Sequence, residues 1–327
     1  MSKIKSLFEV IRETFKGFVE HKILKMSAAL AYTTVFSMAP LLLVILYSFD
    51  FFFSREAIEG ALYNETKDFI GENAAAQLQT MVQGLSLSNK SNFAAITGII
   101  TLIIGATSVF AEIQDSINTI WGIRPKPTTS GLWLYLKSRL LSFGVIGSLG
   151  FILLVSMGFS VVMEYIKNTL FDDLTSINFY LVTILDFTIT TIIITFLFGS
   201  IFSILPDAKI SWRQVRVASF TTALLFMLGK FIISYYISQS NVSSLYGAAG
   251  SFVVLMLWVY YSSVILYFGA EFSKCYAVKF ASPIEPSEFA EIIQTIKITS
   301  ETETIQEAEK ESIELKTTEK LDSKDQK

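Results

Sequence analysis

Two ionisable side chains interrupt otherwise apolar runs: Asp186 in the stretch 180–204 and Lys230 in the stretch 217–237. A charge at the centre of a bilayer costs about 2.5–3.5 kcal/mol on insertion scales, so such residues mark a pathway, a structural pair, or both. If the two runs are consecutive spans, Asp186 sits roughly 9 Å and Lys230 roughly 10 Å below the same outer edge at 1.5 Å per residue. The connection between the runs is short, so the sequence predicts that carboxylate and ammonium meet inside a helix bundle. The pair would be a polar step for a lipid headgroup or a proton, or a buried or snorkelling pair that only fixes packing.

A second set lies at the ends of apolar runs: Glu112, Asp115, Asn118, Arg139 and Glu271. Spacing by three puts Glu112, Asp115 and Asn118 on one side of a helix. They would line an inner vestibule, or serve as caps and ion pairs at span ends. Glu112 with Asp115 also has the residue types of an acid–base pair, but no nucleophile or metal motif accompanies it. No P-loop occurs, so the chain by itself is not an ATP-driven pump. Basic residues are spread over several connections, which gives nucleic-acid binding no support. His21 and Cys275 are the only histidine and the only cysteine. That excludes an intrachain disulfide and any clustered imidazole site. The sequence therefore predicts no metal, no cofactor and no enzyme activity.

The elements that position these groups are set by composition. Of 327 residues, 52% are apolar and 17% charged, against about 25% charged in an ordinary soluble chain. About 20 apolar residues cross the hydrocarbon as a helix, and six runs qualify, near 28–53, 93–111, 140–163, 180–204, 217–237 and 249–270. They lack the alternation of a barrel strand, and a helix satisfies its own backbone in lipid. The fold class is thus all-α, a polytopic membrane protein with six transmembrane helices. Lys3, Lys5, Arg12, Lys16, Lys22 and Lys25 precede the first run. Arg124, Lys126, Lys137 and Arg139 follow the second, and Lys209, Arg213 and Arg216 follow the fourth. The opposite connections are poor in Lys and Arg, so the positive-inside rule places both termini in the cytoplasm.

Three segments flank the runs. Within 1–27, Ile4, Leu7, Phe8, Ile11, Phe15, Phe18 and Val19 follow a helical period with basic residues between them. This predicts an amphipathic helix on the inner leaflet, or one packed against the bundle ends. Residues 54–92 are too long for a simple connector and predict an outer segment with its own helix near 74–82. Residues 281–327 read as a charged cytoplasmic tail, a polar helix beyond Pro286 and then disorder from about Thr302. Gly144, Gly147, Gly150, Gly247 and Gly250 suit close helix packing, and Pro40 suits a kink in the first span.

Several of these residues fall in an order that resembles the YihY/BrkB family of bacterial inner-membrane proteins. They are Ala31, Tyr32, Ser37 and Pro40 in the first run, Asn118 and Trp121 after the second, and Pro206 closing the fourth. Tyr246, Gly247, Gly250, Trp258, Gly269 and Glu271 mark the last. The resemblance implies a six-span cytoplasmic-membrane protein linked to envelope integrity and, in some members, to lipid handling. It also carries an old ribonuclease label. A zinc-dependent hydrolase of that kind needs a cluster of His and Asp ligands, which one histidine cannot supply. Two functions remain open at this level. One is a transporter or flippase for a lipid or other amphiphile. The other is a non-transporting scaffold for envelope-assembly partners, acting through 54–92 and the cytoplasmic surfaces. The partners implied are membrane lipids and, in the scaffold reading, other envelope proteins, with the oligomeric state unspecified.

Overall fold

The computed structural model describes residues 3–49, 60, 63, 64, 67, 72–84, 92–126, 176–239, 246, 249–281 and 283–293. They are mostly helical: α1 (Lys3–Glu20), α2 (Ile23–Phe49), α3 (Glu72–Gly84), α4 (Asn92–Trp121), α5 (Ser176–Ile204), α6 (Trp212–Gln239) and α7 (Gly250–Phe280), with strands β1 (Ile123–Pro125) and β2 (Ala290–Ile292). Residues through Ile292 form one compact unit. Among the described residues, three helices are long and apolar enough to cross a membrane. They occupy Phe187–Ile204, Trp212–Ile237 and Phe252–Phe280, and Ile23–Met38 is a shorter apolar helix. The run 140–163, Arg139, Gly247, the side chains of Asp186 and Pro40, and the tail from 294 lie outside the described residues.

α7 is the centre of the bundle, packed against α1, α2, α3, α4 and α6, while α2 also lies on α4 and α5 on α6. Its small residues allow this. A Cβ on Gly269 would run into the Thr222 side chain of α6 and the Phe202 ring of α5, so α7 approaches both helices only because no side chain intervenes. Gly269→Ala is expected to cost about 2 kcal/mol by overpacking, read as a lowered unfolding midpoint of the detergent-solubilised protein. Gly105 of α4 meets Ser37 of α2 in the same way. The outer faces remain apolar and exposed, as at Ile104, Ile184, Phe196, Leu228 and Phe231. Such surface is at home against acyl chains. α2 stays helical through Pro40 to Phe49, and α3 buries Ala74, Ala75 and Leu78.

At one end of the bundle α2 and α6 begin while α4, α5 and α7 end. Ser211 immediately precedes α6, and the Gln214 side chain accepts from both the Ser211 backbone N–H (2.7 Å) and its hydroxyl (3.0 Å). This is half of a capping box. Past Ala281, residues 283–293 turn back across the helix ends as an extended strap. Glu285 and Asp207 carbonyls accept from Lys209 and Ser287 N–H, and the Phe289 carbonyl accepts from Lys126, each at 2.9 Å. Antiparallel β1–β2 pairing completes it. The helix expected after Pro286 is therefore corrected: the chain from 287 to 293 is turn and strand. Pro283 and Pro286 cannot donate backbone bonds, and the open carbonyls and N–H groups of the helix connections offer an extended partner.

Candidate functional site

Two polar nodes lie at the strapped end. The first is built on the connection after α5. Leu205 and Pro206 are buried there and bring Asp207 against α4. Asn118, 4% exposed, grips it at two points. Its amide NH2 donates to the Asp207 carboxylate (2.8 Å), and its amide oxygen accepts the Asp207 backbone N–H (2.9 Å). Gln114, one turn earlier, donates to the other carboxylate oxygen at 3.2 Å. Burial raises the Asp207 pKa above its ordinary value. The Asn118 and Gln114 bonds pull it back, and the nearby charge of Asp115 adds to the upward push. Because the Asp207 carbonyl also receives Ser287, this node ties α4, the α5–α6 connection and the strap together.

The second node joins the α1–α2 turn to α7. Glu271 is 2% exposed although it lies within the apolar stretch of α7. Nδ1 of His21, at the α1–α2 turn, is 2.7 Å from Glu271 Oε2. Lys274 Nζ is 3.8 Å from Oε1, and the Cys275 thiol donates to Oε1 at 3.7 Å. α1 can approach because residue 17 is glycine: a Cβ there would fall on the Glu271 carboxylate. The turn itself needs Lys22 at φ 53°, a left-handed conformation that non-glycine residues adopt uncommonly. Beside the node is a cleft of about 430 Å³ between α1 and α7, lined by Glu9, Glu13, Glu20, Glu271, Lys274 and Lys279 among others. Tyr267, fully buried one turn earlier on α7, points its hydroxyl to the Glu112 carbonyl at 3.5 Å.

The residues singled out in sequence thus divide. Asn118 and Glu271 are buried and belong to different nodes, Glu112 is half-buried beside Tyr267, and Asp115 is exposed. Lys230 is half-buried on α6, and α5, which carries Asp186, is the helix that α6 packs on. Several of the described signature positions lie at packing contacts, while Tyr32 is exposed. Ala31 is buried and Ser37 faces Gly105, Trp121 packs on the main core, Pro206 is buried, and Trp258 meets the Phe226 ring edge-on. Tyr246 is exposed and Gly250 buried. Reasoning from sequence missed Asp207 and the partnership of His21. Asp207 could have been noticed as the one acid in a connection of Lys209, Arg213 and Arg216. Lys274 and Cys275 stand at helical spacing from Glu271. Among the described residues, no group of three or more His, Cys, Asp or Glu is placed to hold a metal.

Long apolar helices with exposed apolar flanks and a polar, hydrogen-bonded end define a helical membrane protein. The chain belongs to the Virulence factor BrkB family, whose model matches residues 14–288. It is similar to a UPF0761 membrane protein of Psychromonas ingrahamii, 26% identical over 83% of this chain and 88% of the relative. Another, from Haemophilus influenzae, is 27% identical over 79% of this chain and 91% of the relative. No solved structure matches the chain.

Proposed function

We propose that the protein crosses the bacterial cytoplasmic membrane six times, at the spans given above, with both termini and the strapped end in the cytoplasm and α1 at the inner interface. In this reading it moves or positions an amphiphile, a lipid foremost. The observation that carries the reading is the buried Glu271 carboxylate beside an open cleft at the bundle surface. A carboxylate kept inside an apolar helix is costly unless its charge is used. Charges of both signs border the cleft, suiting a zwitterionic head.

Reconstitution into vesicles with labelled phospholipids tests this. The wild-type protein is expected to accelerate exchange between leaflets. Glu271→Gln keeps the shape but loses the charge-assisted bonds, each about 1.5 kcal/mol or more, and should slow exchange roughly ten-fold. Inactivity of the wild type across lipid classes would move the assignment to the second reading, a non-transporting scaffold for envelope-assembly partners. That alternative is favoured by the filled interior at the strapped end, where Ile117, Ile120, Phe202 and Tyr267 have no exposure. A scaffold should co-purify with its partner in fixed stoichiometry.

A further inference from the structure

We infer that α1 is a rigidly mounted shelf that engages anionic phospholipid headgroups in the leaflet at the strapped end. The inference rests on α1 lying at the bilayer interface and adds a lipid preference to that placement. One side of α1 is committed to protein. Val10 and Thr14 are buried, Val10 clusters with Ala218 of α6 and Phe272 of α7, and Gly17 abuts Glu271. Contact with two neighbouring helices lays α1 across them, and the Lys279–Glu9 ion pair at 2.6 Å holds its earlier turns. A helix clamped in this way cannot rotate to hide its other faces.

Those other faces are sorted. Leu7, Phe8, Ile11, Phe15 and Val19 form a continuous apolar stripe, with Phe8 70% and Val19 73% exposed. At 3.6 residues per turn, Lys5, Arg12 and Lys16 fall within roughly 40° of one another, directly beside that stripe. All three are exposed. Glu9, Glu13 and Glu20 come next around the helix, on the far side of the basic row from the stripe. With the stripe toward acyl chains, the basic row sits at headgroup level and the acids face water. That is the charge order an anionic surface favours. A protein partner would need no such three-way sorting.

The test uses the full chain in nanodiscs of phosphatidylcholine alone and with phosphatidylglycerol. Spin labels are placed by Phe8→Cys and, separately, Glu13→Cys in a Cys275→Ser background. The Phe8 site should be accessible to oxygen and the Glu13 site to a water-soluble nickel chelate. Association of spin-labelled phosphatidylglycerol should weaken at least about five-fold in the Lys5/Arg12/Lys16→Gln variant, the preference one basic residue carries at an anionic surface. Nickel access at Phe8, or shielding of that label from both reagents by a second copy or another protein, would overturn both the placement and the inference. Oxygen access with unchanged lipid association would leave the placement and overturn the anionic preference.

Discussion

Asn118→Asp should lower the stability of the solubilised protein by about 4 kcal/mol at neutral pH. The substitution is almost isosteric, so packing is not the cause. In the native node the Asn118 amide donates to one Asp207 oxygen and accepts from the Asp207 backbone N–H. An aspartate there retains the second bond but turns the first into two facing carboxylates. A lost hydrogen bond to a charged group costs about 1.5–3 kcal/mol, and like charges in contact add a comparable repulsion. The pH dependence has a definite sign. Burial already raises the Asp207 pKa, and a second carboxylate raises it further. For an acid whose folded pKa is raised, the ionised form is the destabilising one. Stability should therefore recover as pH falls through the raised folded value and level off near the ordinary carboxylate range, where one proton bridges the pair.

A partner substitution separates this account from general disruption. Asp207→Asn alone sets an amide NH2 against either Asn118 or Gln114, both donors, and should also destabilise. In the double variant Asn118→Asp with Asp207→Asn, Gln114 donates to the new amide oxygen. The new NH2 and the residue 207 backbone N–H donate to the new carboxylate. Every bond is restored, with polarity exchanged only in the side-chain bond between residues 118 and 207, so most of the loss should return. Chemical unfolding of all four proteins measures the coupling. Additive losses would show that the node is not a paired contact.

Gly17→Val should release α1 from α7 at a cost of about 3 kcal/mol. A Cβ on residue 17 falls on the Glu271 carboxylate, which cannot swing aside without leaving His21. Overpacking of this kind costs about 1–3 kcal/mol, and the lost charged bond adds to it. Limited proteolysis should then cleave within 3–20 in the variant and not in the wild type, along with a lower unfolding midpoint. Removing the obstacle tests the cause: Gly17→Ala combined with Glu271→Ala should be no less stable than Glu271→Ala alone. If Gly17→Ala carries its full penalty in both backgrounds, the close approach is not what fixes glycine there.

The amino-acid sequence by itself determined that this is a helical membrane protein. The reason is that insertion is a local property: an apolar run of sufficient length must become a helix whatever its neighbours are. The helix near 74–82 and the N-terminal helix were legible on the same basis, since each depends on a few adjacent side chains, whereas Gly269 stood out only as a signature position and its close packing emerged from the structure. The polar nodes were not. Asn118 and Asp207 are 89 positions apart, and His21 and Glu271 are 250 apart. Spacing by three put Glu112, Asp115 and Asn118 on one side of α4, yet at the strapped end Asn118 is turned inward and Asp115 outward. Only the packed arrangement decides which of several polar residues at a helix end is buried, because that depends on which other helix end arrives opposite it. The strap was hidden for the same reason. Residues 283–293 have no strong preference of their own and take an extended form because the ends of α4 and α5 leave backbone groups to be met.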